Sequence, residues 1–278
     1  MRAHFGGSSR QSLQVARATL DAAVKGATAQ AASALCSELF FAGDVLAGNI
    51  TVRRALTDPS RTEEAKATLV SDLFSKTLGA PALAVVKNIS SLRWSSSGDL
   101  VLVLEQLAIE AEASAANIAN ELDRVEEEFF TTSLAIGDSF ELRKALITSG
   151  AVEAKSALVT DLLGKSGSAS TAKLVTHLVN NLRGRSIESA FDDYFFALAA
   201  RRDRVIAHVR VVVDLSNAQR DRLVAGLTKQ VGQPVRVNIE VDPTIVGGVS
   251  IRFADEVVDG SISHRLAGAG RSLVGQQN

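Results

Sequence analysis

The chain has 278 residues, which suits two or three domains at roughly 100 to 200 residues each. Its 46% apolar and 22% charged shares are those of a folded globular protein and exclude wholesale disorder. Lys and Arg number 30 against 31 Asp and Glu, a net charge of −1 that supplies no long-range attraction for nucleic acid or anionic lipid.

The N-terminal stretch MRAHFGGSSRQSLQVARATLDA lacks the apolar core of a signal peptide. No window reaches about 18 uncharged apolar residues, so association with a membrane is expected only through other proteins. Cys36, in AASALCSELFF, is the single cysteine, which excludes an intrachain disulfide and reads as a buried structural thiol in a reducing compartment. From Ser9 to about Arg204 apolar residues recur every three or four positions, the pattern of amphipathic helices packed into bundles. Pro59 and Pro81 fall near breaks, and Ser60 with Glu63 spells a capping box. The segments GDV, SSSGD and GKSGSAS read as the loops.

The helical part repeats itself. EAKATLVSDLFSK at 64–76 and EAKSALVTDLLGK at 153–165 agree at eight of thirteen positions. Upstream, Arg53, Ala55 and Leu56 match Arg143, Ala145 and Leu146; downstream, Ile89, Leu92 and Arg93 match Val179, Leu182 and Arg183. The spacing stays at 89 to 90 residues, which predicts a tandem duplication with copies at 1–114 and 115–204. Two copies of this length predict a core within each, unlike a stacked solenoid.

At Val205 the pattern changes. VIAHVRVVVDL is β-branched, SNAQRDRLVAGLTKQVG predicts a Ser-capped helix, and PVRVNIEVD and VGGVSIRFAD alternate as strands. A frayed terminal helix follows. The predicted fold class is α+β, predominantly α: two tandem helical bundles and a small C-terminal α/β domain at 205–278.

Candidate chemistry is eliminated segment by segment. GKS at 164–166 lacks the earlier glycine of a phosphate loop and follows a helix. GAGRSLVG at 268–275 lacks the third glycine of a dinucleotide fingerprint. His4, His177, His208 and His264 have no second ligand at metal spacing, so no metal or cofactor is expected, and His177 reads as a packing or surface residue. EEEFF at 126–130 reads as a solvated helix face, and RRDRVIAHVR lacks the interleaved aromatics of a nucleic-acid binder. No catalytic constellation survives, which leaves an interaction protein, or alternatively a ligand-sensing regulatory protein with helical relay bundles.

The segment VDPTIVGGVSIRFADEVVDGSISHRL, from residue 241, resembles the C-terminal signature of the delta subunit of F-type ATP synthases, the oligomycin-sensitivity-conferring protein family. The matching residues are Asp242, Gly247, Gly248, the strand VSIR, Asp259, Gly260 and Ser261, then Arg265 and Leu266. NNLRGRS at 180–186 is similar to the end of that family's helical domain. The resemblance covers 120–278 directly and 1–119 as the duplicate, and it implies the long bacterial form with a doubled helical domain. It implies a non-catalytic stator subunit on the cytoplasmic side of the membrane, peripheral to it. Its helical domain would bind alpha-subunit N-terminal segments of the catalytic head and its C-terminal domain the b-type stalk, so that proton flow is coupled to ATP synthesis. Copy two, which keeps NNLRGRS where copy one has SLRWSSSGD, is the expected head binder, and copy one a brace. Asp242, Gly247, Gly248, Asp259 and Gly260 are expected to shape turns and a close strand approach. Ile262, Arg265 and Leu266 are the candidate partner-binding residues.

Overall fold

Residues 7–199 form, among those described, eleven helices: α1 (Gly7–Val24), α2 (Ala29–Gly48), α3 (Ile50–Thr57), α4 (Glu63–Phe74), α5 (Ala80–Ser91), α6 (Ser97–Ile118), α7 (Leu122–Asp138), α8 (Phe140–Ile147), α9 (Val152–Leu163), α10 (Ala169–Asn180) and α11 (Ile187–Ala199). The computed structural model describes residues 5–148, 150–164, 167–201, 205–211, 215–216, 219–220, 222–223, 225–227, 235–241, 249–253 and 256–259. The protein is predominantly helical, as its periodicity predicts, and it divides into two units, Met1–Arg201 and Arg202–Asn278.

Local chemistry starts the helices. Thr28, Thr62, Ser96, Ser139, Ser168 and Ser186 each accept a backbone N–H from the first turn with the side-chain oxygen, a contact typically worth about 1 kcal/mol. The cap of α4 is thus Thr62, which accepts from Ala65 N–H, and not Ser60. Ser60 instead donates its N–H and hydroxyl to Asp58 Oδ1, closing an Asx turn around Pro59. GDV is also no loop, because Gly43 lies inside α2, buried on the side that faces Leu104 of α6. Gly164 does end α9, at φ +65°, a left-handed conformation suited to glycine.

Burial follows the duplication closely. On α2 the buried Ala32, Leu35, Leu39, Ala42 and Leu46 correspond, 90 residues on, to buried Leu122, Val125, Phe129, Thr132 and Ile136 of α7. On α4 and α5 the matching spacing is 89: Val70 with Val159, Val85 with Leu174, and Ile89 with Leu178, one residue short of the Val179 that the sequence comparison pairs with it. α6 fits the pattern twice. Its Leu100, Val101, Leu104, Leu107 and Ala108 match Ala190, Phe191, Tyr194, Ala197 and Leu198 of α11, the last helix of copy two. Its Val103, Gln106 and Glu110 match Leu13, Ala16 and Leu20 of α1, the first helix of copy one. The contacts agree, since α6 packs on α10 and α11 as α1 packs on α5 and α6. Residues 114 and 115, where the sequence copies meet, therefore fall inside a helix that both copies use. One hydrophobic cluster runs through it from Leu13 to Leu198.

The most extensive helix contact is that of α2 with α6. Ala32, Cys36 and Gly43 on one side and Ala108 and Ala111 on the other are small and buried, which lets the backbones approach. By length and hydropathy α2 could span a bilayer, but its apolar side lies in this core. A Cβ on Gly43 would sit 3.6 Å from Leu104 Cβ, an ordinary contact. Gly43→Ala is accordingly expected to raise stability by about 0.5–1 kcal/mol, because interior helical glycine is that much poorer than alanine. Gly43→Leu overpacks the same contact and should lower stability by about 1–3 kcal/mol. Urea denaturation of the full chain reads both signs.

In the second unit β1 (Val205–Val211) lies between β2 (Val235–Val241) and β3 (Val249–Phe253), with β4 (Glu256–Asp259) outside β3. β1 and β2 are parallel, from Val205 opposite Val235 to Val211 opposite Val241, while β1–β3 and β3–β4 are antiparallel. A parallel pair needs a crossover, and 219–220, 222–223 and 225–227 within that connection are helical. Ser216 and Gln219 begin it as a capping pair, the Ser216 N–H donating to Gln219 Oε1 at 2.9 Å. Val209 and Val211, two residues apart on one face, are buried, as is Leu227.

Candidate functional site

α6 carries three carboxylates, Glu105, Glu110 and Glu112, inside the helical unit, each at most 1% exposed. An unpaired charge there would cost several kcal/mol, so the partners decide what α6 does. Arg183 and Arg185 sit in the left-handed bend after α10, where Arg183 has φ 52° and Gly184 φ 80°. That bend turns both guanidinium groups onto Glu105: Arg183 Nη1 donates at 3.2 Å and Arg185 Nη2 at 2.9 Å and 3.1 Å. Tyr194 of α11 donates its hydroxyl to the same carboxylate at 3.1 Å. Arg183 then reaches α2, donating to Asp44 at 2.6 Å, and Arg185 donates to Asp193 at 3.1 Å.

The other two carboxylates are shared in the same way. Glu110 accepts from Arg17 of α1 at 2.7 Å and from Arg201, beyond α11, at 3.1 Å. Arg201 also pairs with Asp21 of α1. Glu112 accepts from Ser33 of α2 at 2.9 Å and, on α10, from Ser170 at 2.6 Å and Lys173 at 2.9 Å. Lys173 donates as well to the Ser33 carbonyl at 3.0 Å. Glu110 and Glu112 thus each bind groups from both halves of the helical unit, and Glu105 reaches α2 through Arg183 and Asp44.

Titration behaviour follows this geometry. Burial, then the negative charge of Glu105, pushes the Tyr194 hydroxyl well above its ordinary value. Burial, then Glu112, does the same to the Cys36 thiol, which makes it an inert core residue. Burial alone would raise the Asp44 carboxyl, but hydrogen bonds and charge from His177 and Arg183 outweigh it and hold the group below its usual range. His177 is a packing residue: it stacks on Phe40 with centroids 3.6 Å apart and its Nδ1 lies 2.7 Å from Tyr194 Oη. Glu128 leaves the solvated face expected of EEEFF, since its Oε2 accepts from Ser168 N–H at 2.9 Å and from Thr171 at 2.7 Å.

Among the described residues there is no cluster of His, Cys, Asp or Glu arranged to hold a metal. The seam's charges pair with one another, and Arg183, Arg185 and Asp193 also line a cavity of about 750 Å³ together with Phe5, Asp99 and Phe196. Of the signature residues, Asp259 closes β4 opposite Ser250. Asp242, Gly247, Gly248, Gly260, Ile262, Arg265 and Leu266 lie outside the described residues. Glu105 and Glu112 show in the sequence only as charge in an apolar helix, LVLVLEQLAIEAEASAA, where a solvated acid has no place, and Arg183 and Arg185 only as part of the NNLRGRS resemblance.

A predominantly helical scaffold whose buried charges cross-link its own helices has the build of a structural protein. The profile of the ATP synthase delta (OSCP) subunit matches residues 110–273. The ATP synthase subunit delta of Streptomyces coelicolor is 42% identical over 268 residues, 96% of this chain and 97% of that one. That of Streptomyces avermitilis is 40% identical over 274 residues, covering 98% and 99%, and that of Thermobifida fusca 40% over 239, covering 86% and 89%. A chain of the Toxoplasma gondii mitochondrial ATP synthase hexamer aligns at TM-score 0.37 and 19% identity, over 60% of this chain and 97% of that chain. The chain belongs to the ATP synthase delta (OSCP) subunit family, a family of structural subunits and not of enzymes.

Proposed function

We propose that this peripheral-stalk subunit of the ATP synthase works as a stiff clamp on the cytoplasmic side of the membrane, joining the alpha subunits of the catalytic head to the b-type stalk. The observation that carries this reading is the shared helix α6, on which three buried carboxylates cross-link both helical copies. A stator must transmit torque without yielding, and a seam of desolvated charge pairs has few alternative arrangements of comparable energy. The helical unit, read as two tandem bundles overlapping on α6, takes the head. The second unit, read as a small α/β domain, takes the stalk, with Ile262, Arg265 and Leu266 as its contact residues. Copy two is assigned to the head, because the family profile begins within α6 and runs through copy two, and copy one to bracing it. Association with the membrane runs through the complex alone, and proton flow is coupled to ATP synthesis because the head is held against rotation.

The ligand-sensing alternative draws no support from the relatives. Affinity-tagged chain purified from gently solubilised membranes is expected to bring down alpha, beta and b-type subunits in constant ratio. Recovery of the chain without them, with the synthase intact in the flow-through, would overturn the proposal.

A further inference from the structure

The cavity of about 750 Å³ opens on the helical unit between the segment before α1, the first two turns of α6, the bend after α10 and α11. That volume lies within the roughly 300–1,000 Å³ of small-molecule sites. Phe5, Leu102, Phe195, Phe196 and Ala199 make its walls apolar, and Phe196 is 41% exposed. The polar lining is of two kinds. Arg185 spends its N–H groups inside the fold: Nε on the Leu182 carbonyl at 3.1 Å, Nη1 on Asp193 at 3.1 Å and Nη2 on Glu105 at 2.9 Å. Arg183 gives Nη1 to Glu105 and Nη2 to Asp44, and its Nε is buried out of a ligand's reach. Neither guanidinium is left to receive an anion. Asp99 and Asp192 are the opposite case. Asp99 accepts from the neutral Ser9 hydroxyl at 2.6 Å and pairs with no cation among the described residues, where Asp192 has neither a hydrogen bond nor an ion pair.

We infer that this cavity binds a small amphipathic organic cation, an ammonium or amidinium group carried on an aromatic or aliphatic body. The body fills the apolar walls, and the positive head meets Asp192 and Asp99, with Phe195 and Phe196 beside it as rings whose faces attract a cation. An anion would have to displace Glu105 or Asp193 from its arginine, whereas a cation displaces nothing. A bare metal ion is not the match, because among the described residues no three acid, His or Cys side chains converge to hold one. All the lining residues belong to the helical unit, so the isolated chain carries the whole site and the inference does not rest on the stalk assignment. The walls come from α6, α11 and the segment before α1, so a bound molecule ties the first and last helical segments of the unit together and stabilises it by linkage.

The test uses the full-length chain and two fluorescent probes of one shape and opposite charge, 1-pyrenemethylammonium and 1-pyrenecarboxylate. Fluorescence titration is expected to show the ammonium saturating its site below about 1 mM and binding at least about tenfold more tightly than the carboxylate. Asp192→Lys and Phe196→Ser each weaken the ammonium probe by about tenfold or more. Both positions are exposed, so their melting curves without probe stay with the parent's. Phe140→Ser removes a phenylalanine that is 64% exposed and outside the cavity, and it leaves the affinity unchanged. At about a hundredfold excess over the parent's Kd, the ammonium probe raises the parent's thermal midpoint by about 5–10 °C and that of Asp192→Lys by half as much or less. Absence of saturable binding, equal affinity for the two probes, affinity unchanged in Asp192→Lys, or a loss in Phe140→Ser as large as in Phe196→Ser overturns the inference.

Discussion

Glu105→Leu is expected to lower the unfolding free energy by about 3–5 kcal/mol, because it leaves Arg183 and Arg185 buried without their counter-charge. The side chains of those arginines are 16% and 15% exposed and that of Glu105 is 0%, so water screens little of the loss. For a unit of this size about 2–4 °C of thermal midpoint goes with each kcal/mol, which places the drop near 10 °C or above. Glu121→Ala is the control. Its pair with Arg124 spans 3.6 Å between side chains 49% and 48% exposed, and such pairs contribute about 0–1 kcal/mol. A triple variant, Glu105→Leu with Arg183→Met and Arg185→Met, should recover a large part of the loss, since replacing a whole buried ion cluster by apolar groups is often neutral. Circular dichroism melts of the four proteins decide it. If Glu105→Leu melts within 1 °C of the parent, the seam does not hold the copies together and the clamp reading loses its support.

Much of the helical part is legible in the sequence because its physics is local. The repeated segments at 64–76 and 153–165 fall on α4 and α9, Pro81 falls at the start of α5, and the internal repeat is visible at a spacing of 89 to 90. What escapes is whatever depends on partners distant in the chain. Arg183 and Arg185 find Glu105 across 78 and 80 residues, and the LRGR stretch shows only two cations around a glycine. Gly43 reads as a break because a glycine beside an aspartate looks like a turn, whereas it lies buried inside α2 against α6. The double role of α6 is hidden by its burial. Residues 103–113 are buried on every side, so no 3.6-residue stripe marks which face belongs to which copy. The equivalence with α1 sets Gln106 and Glu110 against Ala16 and Leu20, which no residue-type comparison would align.

That double role changes what a deletion can test. A fragment of residues 115–278 is expected to show no cooperative helical melt, because it begins after Leu100, Leu104, Leu107 and Ile109, all at most 1% exposed. Truncating one such leucine typically costs about 2–5 kcal/mol, so losing several together exceeds the about 5–15 kcal/mol that holds a domain folded. The fragment also lacks Glu105, Glu110 and Glu112, stranding Arg183, Arg185, Lys173 and Arg201. Restoring α6 in a fragment of 97–278 returns those partners and the Tyr194 bond. It is expected to regain helix content at 222 nm and to self-associate, because the face of Leu104, Ala108 and Ala111 that α2 covers is left to water. A cooperative melt from 115–278 would mean that copy two has a sufficient core without α6. The two copies are therefore not separable pieces, and loss of head binding on removing copy one would report unfolding before it reported a lost contact. Assigning head contact to either copy requires exposed single substitutions in the intact chain, read beside an unchanged melt.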